Sequence, residues 1–142
     1  VEMQKRLLAL VDEDTEAFNA IMKAFEMPKG NEDEKAARAK AVEEATKNAS
    51  LVPLTVMKEA FKTFELLSEM VMKGNPNSVT DAAVGVLATR ACIRGAYLNV
   101  RVNVSGLKDR AFAGKLVAEG REIEERTAAL EHEIIGIVSL KL

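Results

Sequence analysis

Helix breakers are scarce in this chain, and that constrains its fold more than any other feature. Only three prolines occur in 142 residues, at positions 28, 53 and 76. Ala, Glu, Lys, Leu and Met, all good helix formers, fill the long stretches between them. The first segment runs from about Val1 to Glu26, with Leu7, Val11, Phe18, Ile21, Met22 and Phe25 at helical spacing. Pro28 and Gly30 end it. The second opens at Asn31, an N-cap residue with Glu34 three places on, and reaches about Lys73. Pro53 removes a helical hydrogen bond and predicts a kink or a division there. Gly74 stands just past the helix end, and Gly74-Asn75-Pro76-Asn77 is a loop. Ser78 with Asp81 reads as a capping pair opening a third segment, which Ser105-Gly106 closes. A fourth spans about Asp109 to Leu142.

One stretch carries strand period. Leu98, Val100, Val102 and Val104 alternate with Asn99, Arg101, Asn103 and Ser105. No second strand offers itself as a partner, so the reading stays helical and the fold class is all-α. There is no repeat or linker, and the length suits one domain. The net charge of −2 gives no overall positive field to recruit nucleic acid or an anionic membrane. No apolar run approaches a membrane span, and no signal peptide opens the chain. The single cysteine, Cys92, cannot form an internal disulfide, which fits a reducing cytoplasm.

Asp14 is the most informative position. On a helical wheel it falls within roughly 20° of Leu7 and Phe25, in the middle of the first segment's apolar stripe. Glu13 and Glu16 point away from that stripe. Asp is almost never fully buried without a partner. Two readings follow. Asp14 is half of a buried ion pair or a cap to a neighbouring helix, or it lines a cleft with its pKa raised by desolvation so that it can exchange protons.

A helical third segment places Asp81, Gly85, Ala88, Cys92, Gly95, Ala96, Asn99 and Asn103 on one face. Its small residues predict a close helix or subunit contact. Asp81 and Asn99 would lie about 27 Å apart, too far to act on one bond within one chain, so they could serve one site only across a dimer interface or hold separate parts of a long ligand. Asp81 also suits capping, and Asn75 suits turn chemistry as well as ligand binding. Arg90, Arg94 and Arg101 share the opposite face, as a solvated edge or as the holders of an anionic ligand tail. Cys92 reads as packing. His132, between Glu131 and Glu133, reads as solvated and lacks metal-ligand spacing. There is no phosphate loop, dinucleotide fingerprint or Ser-His-Asp arrangement.

Five stretches, in order, resemble motifs of the formiminotransferase-cyclodeaminase family. They are Leu10-Val11-Asp12-Glu13-Asp14-Thr15-Glu16-Ala17-Phe18; Pro28-Lys29-Gly30; Val52-Pro53-Leu54; Gly74-Asn75-Pro76-Asn77-Ser78 with Thr80-Asp81; and Gly95-Ala96-Tyr97-Leu98-Asn99-Val100 through Asn103. The resemblance implies an all-α, up-and-down bundle of long, kinked helices that works as a homodimer or higher oligomer. It implies release of ammonia from 5-formiminotetrahydrofolate to give 5,10-methenyltetrahydrofolate, or, as in some relatives, a methenyltetrahydrofolate cyclohydrolase. The family's catalytic aspartate falls on Asp14. Asn75, Asp81 and Asn99 would hold the pterin edge or the one-carbon unit. No metal, and no cofactor beyond the tetrahydrofolate substrate, is implied. Family members carry a glycine-rich segment ahead of the part seen here, and it is absent from this sequence. A rival of another class is a non-catalytic helical oligomerisation module that buries Asp14 against a Lys or Arg.

Overall fold

The computed structural model describes residues 2–141, with Pro76 by its backbone alone. Four helices follow in order: α1 (Glu2–Glu26), α2 (Glu32–Lys73), α3 (Val79–Val104) and α4 (Arg110–Lys141). A single 3-10 turn at Pro76–Ser78 separates α2 from α3. The alternating stretch from Leu98 lies wholly within α3 up to Val104. A strand needs a neighbour to satisfy its backbone, and a helix satisfies its own.

Short loops make successive helices antiparallel. Lys47 of α2 meets Asp109 at the start of α4, and Lys58 meets Glu119, so α4 runs parallel to α2. This is the up-and-down order. α2, α3 and α4 wrap a common core, in which Met57, Phe64 and Val71 meet Val86, Ile93 and Val100 and also Leu116 and Ile134. α1 is different, because it packs on α2 and on no other helix to comparable extent. Arg38 ties it there by donating to the Phe25 carbonyl at 3.0 Å and lying over the Phe25 ring.

The helix starts and stops correct several expectations. Asn31 does cap α2, accepting from the Glu34 N–H at 2.8 Å, while Glu34 reaches back to the Gly30 N–H. Ser78 does not pair with Asp81: its side chain makes no cap bond. The 3-10 turn holds Ser78 at φ −109° and ψ 8°, away from the extended geometry an N-cap needs. Gly74 is required by close approach, since a Cβ there would stand 2.2 Å from the Met70 carbonyl oxygen. Pro53 does not divide α2, which is one helix of 42 residues.

Arg90 is neither a solvated edge nor a ligand holder. It is buried, and its guanidinium joins Glu124 at 2.6 Å and Glu131 at 3.2 Å across the α3–α4 contact. The α3–α4 turn is fastened to α2 in a similar way. Glu43 accepts from the Lys108 and Asp109 N–H groups, and these bonds hold its carboxyl below the usual range. Lys47 depresses Asp109, and Asp109 in turn raises Lys47. No helix among the described residues is long and apolar enough to cross a membrane.

Candidate functional site

Because α1 leans on α2 alone, a groove opens between α1 and α3. Its volume is about 520 Å³. Leu7, Val11, Asp14 and Thr15 of α1 form one wall, and Cys92, Gly95, Ala96 and Asn99 of α3 form the other. Pro53 and Val56 of α2 lie between them. A smaller adjoining cavity of about 180 Å³ shares Asp14 and Asn99 and adds Phe18, Ile21 and Asn103. The small residues of α3 therefore make room here. Of the rest of the small stripe, Gly85 packs inside the chain, receiving Leu67 so closely that a Cβ would stand 2.8 Å from it, while Ala88 stays exposed.

Asp14 is exposed, contrary to both expected forms of burial. The buried line of α1 passes through Leu10 and Ala24, and Asp14 stands about 40° from Leu10 around the helix. The stripe centred on Asp14 thus faces the groove, leaving Val11 62% and Phe18 59% exposed. No Lys, Arg or His among the described residues forms an ion pair with Asp14. The buried-ion-pair reading, and with it the non-catalytic module built on that pair, loses its basis. Asp14 does line a cleft, as the other reading has it.

Asn99 also faces both cavities, so the structure brings together Asp14 and Asn99 from different helices. It does not bring Asn75 or Asp81 to them. Both are exposed near the far end of α3, and neither lines this groove. Asn75 performs turn chemistry, its side chain accepting from the Asn77 N–H at 3.0 Å. Cys92 lies along the groove wall, and partial burial pushes its thiol up, away from nucleophilic thiolate character.

Asn103, which the sequence places on the small-residue face of α3 without giving it a role, lines the adjoining cavity. It sits one turn beyond Asn99 on the same face of α3. Its position is set by Pro53. A proline at 53 cannot donate to the carbonyl four residues back, which is that of Ala49. Asn103 Nδ2 donates to that oxygen at 3.2 Å. The proline therefore supplies an acceptor in mid-helix, and Asn103 is anchored by one end of its amide beside Asp14 and Asn99. The signal was present in the sequence as Pro53 with a polar residue on the facing stripe, but the pairing of the two needs the tertiary register.

The profile of the formiminotransferase-cyclodeaminase family matches residues 1–122. The chain belongs to this family. Among members, a methenyltetrahydrofolate cyclohydrolase of Methylorubrum extorquens is 39% identical over 140 residues, covering 99% of this chain and 67% of its own. The formimidoyltransferase-cyclodeaminase of Sus scrofa is 33% identical over 111 residues, covering 78% of this chain and 20% of its own. The crystal structure of formiminotetrahydrofolate cyclodeaminase from Thermotoga maritima superposes with a TM-score of 0.83 at 24% identity, covering 97% of this chain and 65% of that one. That likeness supports the all-α fold. The chain thus spans about two thirds of two of these relatives and a fifth of the third.

Proposed function

We propose that the α1–α3 groove binds a reduced folate and that Asp14 moves the protons of a reaction at its one-carbon unit. The observation that carries this reading is the meeting of an unpaired carboxylate with Asn99 and the anchored Asn103 around one groove. The apolar wall suits a flat heterocycle, and the amides suit its hydrogen-bonding edge. A ligand filling the groove would expel water from around Asp14, so that its proton transfers take place away from bulk solvent.

Two reactions fit. In the first, water adds to the carbon bridging N5 and N10 of 5,10-methenyltetrahydrofolate. Asp14 takes a proton from that water and delivers it to N5 as the N5–carbon bond breaks. The products are 10-formyltetrahydrofolate and one proton. The Methylorubrum relative, which matches nearly the whole chain, is named for this cyclohydrolase reaction. In the second, N10 of 5-formiminotetrahydrofolate attacks the carbon of the formimino group, which reacts as its protonated amidinium. Asp14 removes the N10 proton and returns one to the departing nitrogen, releasing ammonia and leaving the methenyl bridge. The Sus scrofa and Thermotoga relatives are named for cyclodeaminases. The experiment is to supply each folate in turn. Formyl product without ammonia from the formimino substrate assigns the first reaction, ammonia release assigns the second, and no turnover of either rejects the proposal.

A second copy of the chain is part of the same reading. Val84, Leu87, Ala88, Leu98 and Val102 of α3 stay exposed in one chain, although this helix carries apolar residues around most of its circumference. A homodimer or larger assembly in the cytoplasm would cover them. Light scattering across a dilution series tests this, and a folded monomer at every concentration rejects it.

A further inference from the structure

A second groove lies on the other side of α3, between it and α4, and the folate reading makes no use of it. Arg101 of α3 and Arg110 and Arg121 of α4 line a cavity of about 480 Å³. Arg101 is two residues from Asn99, about 200° around the helix, so this groove faces away from Asp14. Ala113, Gly114 and Ala118 lie between the arginines, and a Cβ on Gly114 would meet nothing within 4 Å. No acidic residue lines it.

The charge arrangement is the unusual part. Acidic residues outnumber basic ones, 22 to 20, so three arginines around one cavity do not follow from composition. Arg90, whose role is structural, has two carboxylate partners, Glu124 and Glu131. Among the described residues no carboxylate lies within 4 Å of Arg101, Arg110 or Arg121, and Glu125, one turn beyond Arg121 on α4, attracts that guanidinium from farther off. Two of the three are also held in place. Arg110 Nη1 donates to the Ser105 and Leu107 carbonyls at 3.3 and 3.4 Å. Arg101 lies over the Tyr97 ring, 5.8 Å from its centroid. That ring is seated by Gly120, where a Cβ would come within 2.9 Å of it. Arg121 sits beside the same tyrosine's hydroxyl.

We propose that this groove is a binding site for an elongated small-molecule polyanion with at least two phosphate or carboxylate groups. Guanidinium forks match either oxyanion in bidentate fashion. Arg110 and Arg121 share one face of α4 three turns apart, about 16 Å along the axis. With Arg110 tied back to the Ser105 and Leu107 carbonyls, a chain of anionic groups spans the two more readily than a single anion does. The cavity volume is in the range of small-molecule sites. The site stands or falls independently of the Asp14 groove, because its test reads binding and not turnover.

The test is titration calorimetry of the native chain with tripolyphosphate and with a linear tetracarboxylate, against orthophosphate at matched ionic strength. At least one polyanion binds about tenfold or more tightly than orthophosphate, and the one that wins identifies the oxyanion chemistry. In an Arg101→Gln/Arg121→Gln double variant that affinity falls by about tenfold or more. The Gly114 amide resonance of the native chain, which needs no variant, shifts on addition of the same polyanion. Affinity no better than orthophosphate, equal binding by the folded double variant, or an unmoved Gly114 resonance would each overturn the proposal.

Discussion

α1 and α4 are both long helices laid against α2, yet they are used in opposite ways. α4 buries Ala113, Leu116, Thr127, Ile134 and Val138 in the common core, and Leu140, near its end, is its one large apolar residue left largely exposed. α1 buries only Leu10 and Ala24 and leaves Leu8, Val11, Phe18, Met22 and Phe25 substantially exposed. The difference separates a helix that builds the core from one that leaves an open groove. The three-helix core can hold its shape without α1's apolar stripe, so that stripe is free to form the wall of a groove around Asp14.

The sharpest way to break this contrast is to truncate one phenylalanine from each region. Phe64→Ala empties a fully buried site and should cost about 3–5 kcal/mol in urea unfolding. Phe18→Ala should cost less than about 1 kcal/mol, because its ring is mostly solvated in the single chain. Similar losses at both positions would mean that the Phe18 stripe is packed in solution, against a second copy or another segment.

The link between core and groove is Asn103. Asn103→Ala leaves the Ala49 carbonyl without its side-chain donor and should cost about 1–3 kcal/mol while weakening folate binding. In a Pro53→Ala background position 53 again carries an N–H for that carbonyl, and the stability cost of Asn103→Ala should shrink while the binding loss stays. If the cost is the same in both backgrounds, Pro53 does not set the position of Asn103.

Much of the fold was legible because helical periodicity is local. The α1 and α2 limits, the Asn31 cap and the α3 terminus near Ser105 all rest on nearest-neighbour chemistry. The failures share a cause. Asp14 looked buried because a wheel finds an apolar stripe without saying what covers it, and α1 offers its stripe to an open groove. Ser78 looked like a cap because its spacing to Asp81 was right, while the 3-10 turn fixed its backbone wrongly for the bond. Pro53 suggested a kink or a division, and the division does not occur: α2 runs through it, with Asn103 of α3 donating to the carbonyl the proline leaves free. Of the candidate site, Asp14 and Asn99 were readable and share a groove, whereas Asn75 and Asp81 lie toward the other end of α3 within one chain, a separation from Asn99 that helix length already implies for Asp81.

The smallest effect concerns acid. Glu43 and Asp109 have depressed pKa values in the folded chain. Their contribution is present above the ordinary carboxylate pKa of about 4 and is lost as pH falls through the lower folded values. Chemical denaturation between about pH 5 and pH 2 should therefore show stability falling with acid, and Glu43→Gln should flatten that fall. An unchanged slope would show that the fastening of the α3–α4 turn is not what titrates.

The central claim is that Asp14 acts on a ligand and does not hold the fold, and Asp14→Asn tests it most directly. The amide keeps the shape of the side chain but cannot exchange protons. Turnover of the folate substrate should drop by about 10²–10⁴-fold, with the urea midpoint unchanged and folate still bound. Normal turnover by the variant would contradict the account. So would inactivity that comes with a stability loss of about 3–5 kcal/mol, the signature of a broken buried ion pair.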